Sequence, residues 1–278
     1  MMNSRAFPRV DAAEIGPTLN ALHAYTRVLG DWLGSSLQRR KHWWQLAVYP
    51  SIGGISTGLV QAGIDFEFEL ELAKDRLRGR VVGGTEFSQP LAGRPANELA
   101  EEIKSFLIEN GIDPELIPAD KGREGDTRAT PNYSVEIAET LGSTLRSVSA
   151  ALSTFRAGIQ EETSPIQIWP HHLDLAMLWL PGKKIPGKDT QDEENSDKQM
   201  NFGFTFGDEG IPEPYFYITA YPLPEALPAL TLPTGTIWQT EGFSGAVLLY
   251  RTLMENTSPA DYLFDLWNKL LATGRRNL

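Results

Sequence analysis

The chain has no cysteine among its 278 residues. Disulfides, thiolate nucleophiles and cysteine metal sites are excluded, and the composition suits a reducing compartment, so a cytoplasmic location is expected. Histidine is also scarce. Any imidazole chemistry must come from four residues, His23, His42, His171 and His172. Positive charge is in deficit: 25 Lys and Arg stand against 36 Asp and Glu, a net charge of −11. Nucleic acid and anionic membrane both need a basic footprint, so neither is expected as a partner. No stretch suits a bilayer span. The charge-free segment between Lys41 and Asp65 is long enough, but Pro50, Gly53, Gly54 and Gly58 interrupt it, and it reads as buried strand and loop. The opening MMNSRAFPRVDAAEIG lacks the apolar core of a signal peptide. Glycine-rich phosphate loops, HExxH, GxSxG and CxxC are missing as well.

What is present supports a sizeable core: 41% of residues are hydrophobic. A single globular unit over residues 1–278 is expected. The most distinctive stretch is SPIQIWPHHLDLAMLWLPG, residues 164–182. Ile166 and Ile168 share a strand face with Pro170, but the apolar residues then move to odd numbers, Leu173, Leu175, Met177 and Trp179. A side-chain period of two cannot accommodate that shift without an extra residue, so a bulge near Pro170 and His171 is predicted. It would put His172, Asp174 and Ala176 on one side and Leu173, Leu175 and Met177 on the other. An imidazole beside a carboxylate can serve as a base or bind a metal; a solvent-facing pair beside a buried row is the plainer alternative.

Elsewhere the pattern alternates between helix and strand periods. Residues 18–37 read as a helix with Leu19, Leu22, His23, Thr26, Leu29 and Leu33 on one stripe. His23 thus falls on the face expected to be buried. HWWQLAVY reads as a strand with His42 and Trp44 on one face. In IDFEFELEL and RLRGRVV the apolar residues alternate with Glu67, Glu69, Glu71 and with Arg76, Arg78, Arg80. A hairpin would oppose the acids and the arginines across a solvated face. A helix over 97–110 is expected to be capped by Asn97 and ended by Gly111, and residues 113–131 read as a linker or loop. A longer helix follows over 134–159. After Gly182 comes a polar, acidic segment, then two aromatic strands holding Phe202, Phe204, Phe206 and Tyr215, Tyr217, Tyr221. The last helix has Ser258 as its cap, Pro259 at its first position and Gly274 as its stop. Helix, three strands, helix occurs twice, over 17–112 and 133–274. The expected class is α+β, with antiparallel sheets, flanking helices and an option of two similar halves.

The order LHAYTRVLG, HWWQLAVY, FEFEL, SPIQIWPHHLDLAMLWLPGK and FYITAYPLP resembles a bacterial family known as domain of unknown function 5996. The resemblance runs from about Thr18 to Leu271. The LH, HWW and FDLA-like positions correspond to His23, to His42 with Trp43 and Trp44, and to Asp174. The chain departs where relatives carry a histidine after SPV, having Gln167 instead. The resemblance implies no activity, substrate or cofactor.

Two functions fit these residues. One is a binding module for a small molecule or a protein partner, with His23, Trp44, Trp169 and Tyr217 as ligand-binding candidates. The alternative is a small-molecule enzyme using His42, His172 and Asp174, with metal assistance through His171, His172 and Asp174 as a variant. No cofactor is implied.

Overall fold

The computed structural model describes residues 7–112 and 129–278. Its elements in chain order are α1 (Ala12–Ser36), β1 (Tyr49–Pro50), β2 (Gly54–Ser56), β3 (Val60–Ala62), β4 (Ile64–Glu71), β5 (Arg76–Val81), β6 (Glu86–Pro90) and α2 (Ala96–Glu109). There follow α3 (Val135–Ala157), β7 (Glu162–Thr163), β8 (Gln167–Trp169), β9 (Asp174–Leu180), α4 (Glu193–Ser196) and β10 (Gln199–Thr205). The chain ends with β11 (Tyr215–Tyr221), β12 (Thr236–Gln239), β13 (Gly245–Leu249), α5 (Tyr250–Met254) and α6 (Pro259–Asn277). The fold is α+β with antiparallel sheets, as the sequence predicts. Most of the expected 113–131 linker and the start of the N-terminal segment lie outside the described residues.

The described chain forms two compact units. The N-terminal unit comprises the described residues of Ala13–Arg146 together with Gln167–Leu173. The C-terminal unit comprises the described residues up to Ala12, Ser147–Ile166 and Asp174–Leu278.

In the N-terminal unit the sheet order is β1-β2-β4-β5-β6, with β3 also on β4. The strict alternation of β4 buries Phe66, Phe68 and Leu70, and each such side chain contributes roughly 1.5–3 kcal/mol. Phe106 of α2 meets the rings of Phe68 and Phe87 on this face. The opposite face carries the predicted charges in the predicted register, Glu67 opposite Arg80, Glu69 opposite Arg78 and Glu71 opposite Arg76. Two of these pairs form ion pairs, Glu67–Arg80 and Glu71–Arg76. Arg78 instead pairs with Glu86 of β6, and Glu69 accepts hydrogen bonds from Ser51 Oγ and the Gly53 amide. Glu71 is not solvated as expected: it is 5% exposed.

Helix boundaries differ from the sequence reading in small ways. α1 starts six residues earlier and takes Pro17 within it. The N-cap of α2 is Pro95, so Asn97 lies inside the first turn, while Gly111 follows the helix with φ +92°. Ser258 makes no side-chain capping bond to α6, and that helix passes through Gly274 to Asn277.

In the C-terminal unit the strands run β12-β13-β11-β10-β9-β7, all antiparallel. Alternation divides the sheet into two faces. One holds Met177, Trp179, Met200, Phe202, Phe204, Phe216 and Ile218, all buried. Helices cover it: Phe155 of α3 meets Phe202 and Trp267, Trp267 of α6 meets Phe216, and Tyr250 of α5 meets Phe204. The other face carries Asp174, Asn201, Thr205, Tyr215, Tyr217 and Thr219.

Candidate functional site

That second face is built around Tyr217. Cross-strand partners place Gly203 beside Tyr217 on one side and beside Ala176 on the other. A Cβ at Gly203 would come within 2.1 Å of the Tyr217 ring, so the ring lies across the bare glycine. Glycine inside a strand costs roughly 0.5–1 kcal/mol relative to alanine, and here the gap is filled by the neighbour's aromatic ring. The ring's reach brings the Tyr217 hydroxyl to the start of β9, where it donates to Asp174 Oδ2. Asp174 is buried. The Asn201 side chain lies beside the phenol and draws its pKa down. Asn201 Oδ1 is buried and has no hydrogen-bond partner.

Burial, then the Asp174 carboxylate, push the Tyr217 phenol well above its ordinary value, against the opposing pull of Asn201. Tyr217 is therefore neutral and a committed donor. Two residues along the strand, Tyr215 donates to Asp208 Oδ2, and burial followed by that bond raises its phenol too. Asp208 Oδ1 is held by the amides of Gly210 at 2.7 Å and Ile211 at 2.9 Å. Phe243 closes the group: its ring centroid is 6.5 Å from those of both Tyr215 and Tyr217, which are 6.3 Å from each other.

The remaining candidates lie in the N-terminal unit. HWW is not a strand. Lys41–Leu46 forms a tight 3₁₀ segment in which His42 (φ 49°) and Trp43 (φ 58°) both take left-handed conformations. Such conformations are unusual for non-glycine residues and notable for tryptophan. Gln45 Oε1 accepts from the Arg40 amide at 2.8 Å and closes the segment. His42 is buried and stacks on Trp44 at 5.9 Å, while Trp43 is exposed beneath the Arg39 guanidinium at 4.6 Å.

The predicted bulge is also replaced. β8 stops at Trp169, a turn follows in which Leu173 has φ 51°, and β9 begins at Asp174. The phase shift is real, but a turn produces it, so His171 and His172 are exposed turn residues and not strand neighbours of Asp174. His23 Nε2 lies 2.8 Å from the His171 carbonyl. Burial lowers the His23 imidazole, with the nearby Arg27 and His172 charges adding to it and the His171 bond opposing. The two distinctive segments meet here: Val48 and Ile168 exchange backbone hydrogen bonds at 3.1 and 2.7 Å. Gly30 of α1 also packs on Pro170, where a Cβ would come to 2.7 Å. Gln167 is buried, with its Oε1 unpartnered.

Among the described residues, no group of three or more His, Asp or Glu is placed to hold a metal ion, His171, His172 and Asp174 included. An open depression lined by Gly158, Gln160, Glu161 and Arg275 holds charges that already neutralise each other, through two 2.7 Å bonds. The Arg275 guanidinium lowers the Glu161 carboxyl to about 2.

Asn201, Tyr215, Asp208 and Phe243 were not among the sequence candidates. Asn201 left a signal: an amide in QMNFGFT, two positions before a glycine, has poor strand propensity and no place in an apolar row.

These features define an α+β protein whose C-terminal sheet has one helix-covered face and one polar, aromatic face. The chain belongs to a family of unknown function, DUF5996, whose model matches residues 7–274. No curated protein and no solved structure matches it. No described helix is long and apolar enough to cross a membrane.

Proposed function

We propose that the protein is a small-molecule-binding module whose site is the Asn201–Tyr217–Asp174 face of the C-terminal sheet. The observation that carries this is Gly203: a mid-strand position is left without a side chain, and the ring that fills it delivers a hydroxyl to a buried carboxylate. Packing alone would be served by phenylalanine. Tyr217, held neutral and already donating, suits fixed recognition better than proton transfer at neutral pH. Asn201 Oδ1 adds a buried acceptor, of the kind a site keeps for a ligand's donor.

The test is a thermal-shift screen of a metabolite library against wild type and Tyr217→Phe. Compounds that raise the wild-type midpoint are expected to lose most of that shift in the variant, whose own midpoint falls by a few degrees through loss of one hydrogen bond worth about 1–2 kcal/mol. Equal shifts in both proteins for every active compound would refute the reading.

A further inference from the structure

We infer that β12, the outer strand of the C-terminal sheet, is the contact by which two copies of the chain associate, pairing antiparallel about a two-fold axis into one continuous sheet. The backbone geometry carries this. The Tyr250 amide donates to the Pro214 carbonyl at 2.8 Å, and these two residues lie one step beyond the Tyr215–Leu249 pair. Antiparallel bonding alternates along a strand. Leu248 and Ala246 therefore bond towards β11, while Val247 and Gly245 bond towards β12, where their partners are Ile237 and Gln239. Thr236 and Trp238 aim their backbone groups away from the sheet, as does Thr240, next in the alternation. The Thr236 amide is taken by the Pro233 carbonyl at 3.1 Å. The N–H and C=O of Trp238 have no hydrogen-bond partner among the described residues.

Exposed edges are ordinarily protected by charge, by proline or by a covering element. The N-terminal sheet shows this. There the Leu91 amide donates to the Asp75 carbonyl at 3.2 Å, so the outward positions of edge strand β6 are Pro90, Ser88 and Glu86, which include a residue without an N–H and a charged side chain. β12 has neither. No charged residue occurs between Glu225 and Glu241, and Ile237 is 56% exposed. At a net charge of −11 two copies repel each other, and an uncharged edge is where they can meet without opposing like charges. The edge is also self-complementary. With the axis at Trp238, each Trp238 exchanges its backbone bonds with the other, and each Thr240 amide meets the second copy's Thr236 carbonyl. Ile237 then lies beside the second copy's Gln239. The two-fold of an antiparallel pair is perpendicular to the sheet, so both Tyr217 faces lie on the same side, joined through the row Tyr217, Val247, Ile237.

Sedimentation equilibrium of the full chain, from micromolar to millimolar, is expected to show a mean mass rising from 30.8 kDa towards twice that value. Ile237→Lys puts a charge on an exposed edge position and, in the dimer, brings two lysines diagonally together; it should weaken dimerisation by about tenfold or more. Thr240→Pro removes an amide that makes no bond within the monomer, and should weaken the dimer to a similar extent. Circular dichroism should show both variants folded as the wild type is. The proline variant separates backbone pairing from adhesion through the Ile237 side chain, which would be indifferent to it. A mean mass that stays at 30.8 kDa across the series overturns the inference, as does a dimer that a folded Thr240→Pro or Ile237→Lys variant forms as readily as wild type.

Discussion

Glu71 sets the terms for a single residue. It stands at the end of an exposed acidic row in the sequence, yet its carboxylate is buried with Arg76 and Lys74 on it, Lys74 at 3.0 Å. A buried carboxylate that loses its main partner keeps its desolvation cost, so breaking such a pair is far worse than never having built it. Arg76→Met is expected to lower stability by about 2–3 kcal/mol at pH 7, with Lys74 retaining part of the compensation. The pH dependence has a definite sign. Arg76 holds the Glu71 carboxyl below its ordinary 4.5, so its contribution is present above that value and is lost as pH falls below it. Urea unfolding of wild type and variant at pH 7 and in acid should therefore show the difference shrinking below about pH 4.5. A penalty that is constant with pH would mean the arginine acts through packing alone.

Among the elements, strands with a two-residue period were legible and left-handed turns were not. The alternation of β4, β5, β10 and β11 could be read directly, because one face of each is buried and the register follows. HWW could not: aromatic residues favour strands on average, but here the Gln45 bond to the Arg40 amide and the pairing of Val48 with Ile168 impose a turn that no local propensity encodes. The shift at Pro170 was legible as an irregularity, and only the positive φ of Leu173 identified its kind. For the site, Tyr217 and Asp174 were visible as residues. Their partnership was not, because it depends on a ring crossing from β11 over β10 to β9. Both sheets use the same pairing, since Phe68 lies against Gly79 as Tyr217 lies against Gly203. In the first the ring is core; in the second it carries a hydroxyl. Gly203→Ala is therefore expected to displace the Tyr217 ring, costing about 1–3 kcal/mol and abolishing ligand-induced thermal shifts. A variant with full stability and full shifts would show that the ring has another resting place.

Over the whole molecule, chain order and compact units do not coincide. The N-terminal unit takes Gln167–Leu173 from beyond its own continuous stretch. That segment supplies the Ile168 bridge to Val48, the Pro170 contact with Gly30 and the His171 carbonyl for His23. A fragment spanning Ala13–Arg146 is thus expected to lose the sharp, cooperative urea transition of the intact protein. Native cooperativity in that fragment would show the inserted segment to be dispensable.

The same interleaving bears on synthesis. On the ribosome, the N-terminal unit must wait for Leu173 to clear the exit tunnel before its last segment can dock, by which time part of the C-terminal unit is already made. The earlier domain cannot finish before the later one begins, so a stalled or truncated message yields no complete half.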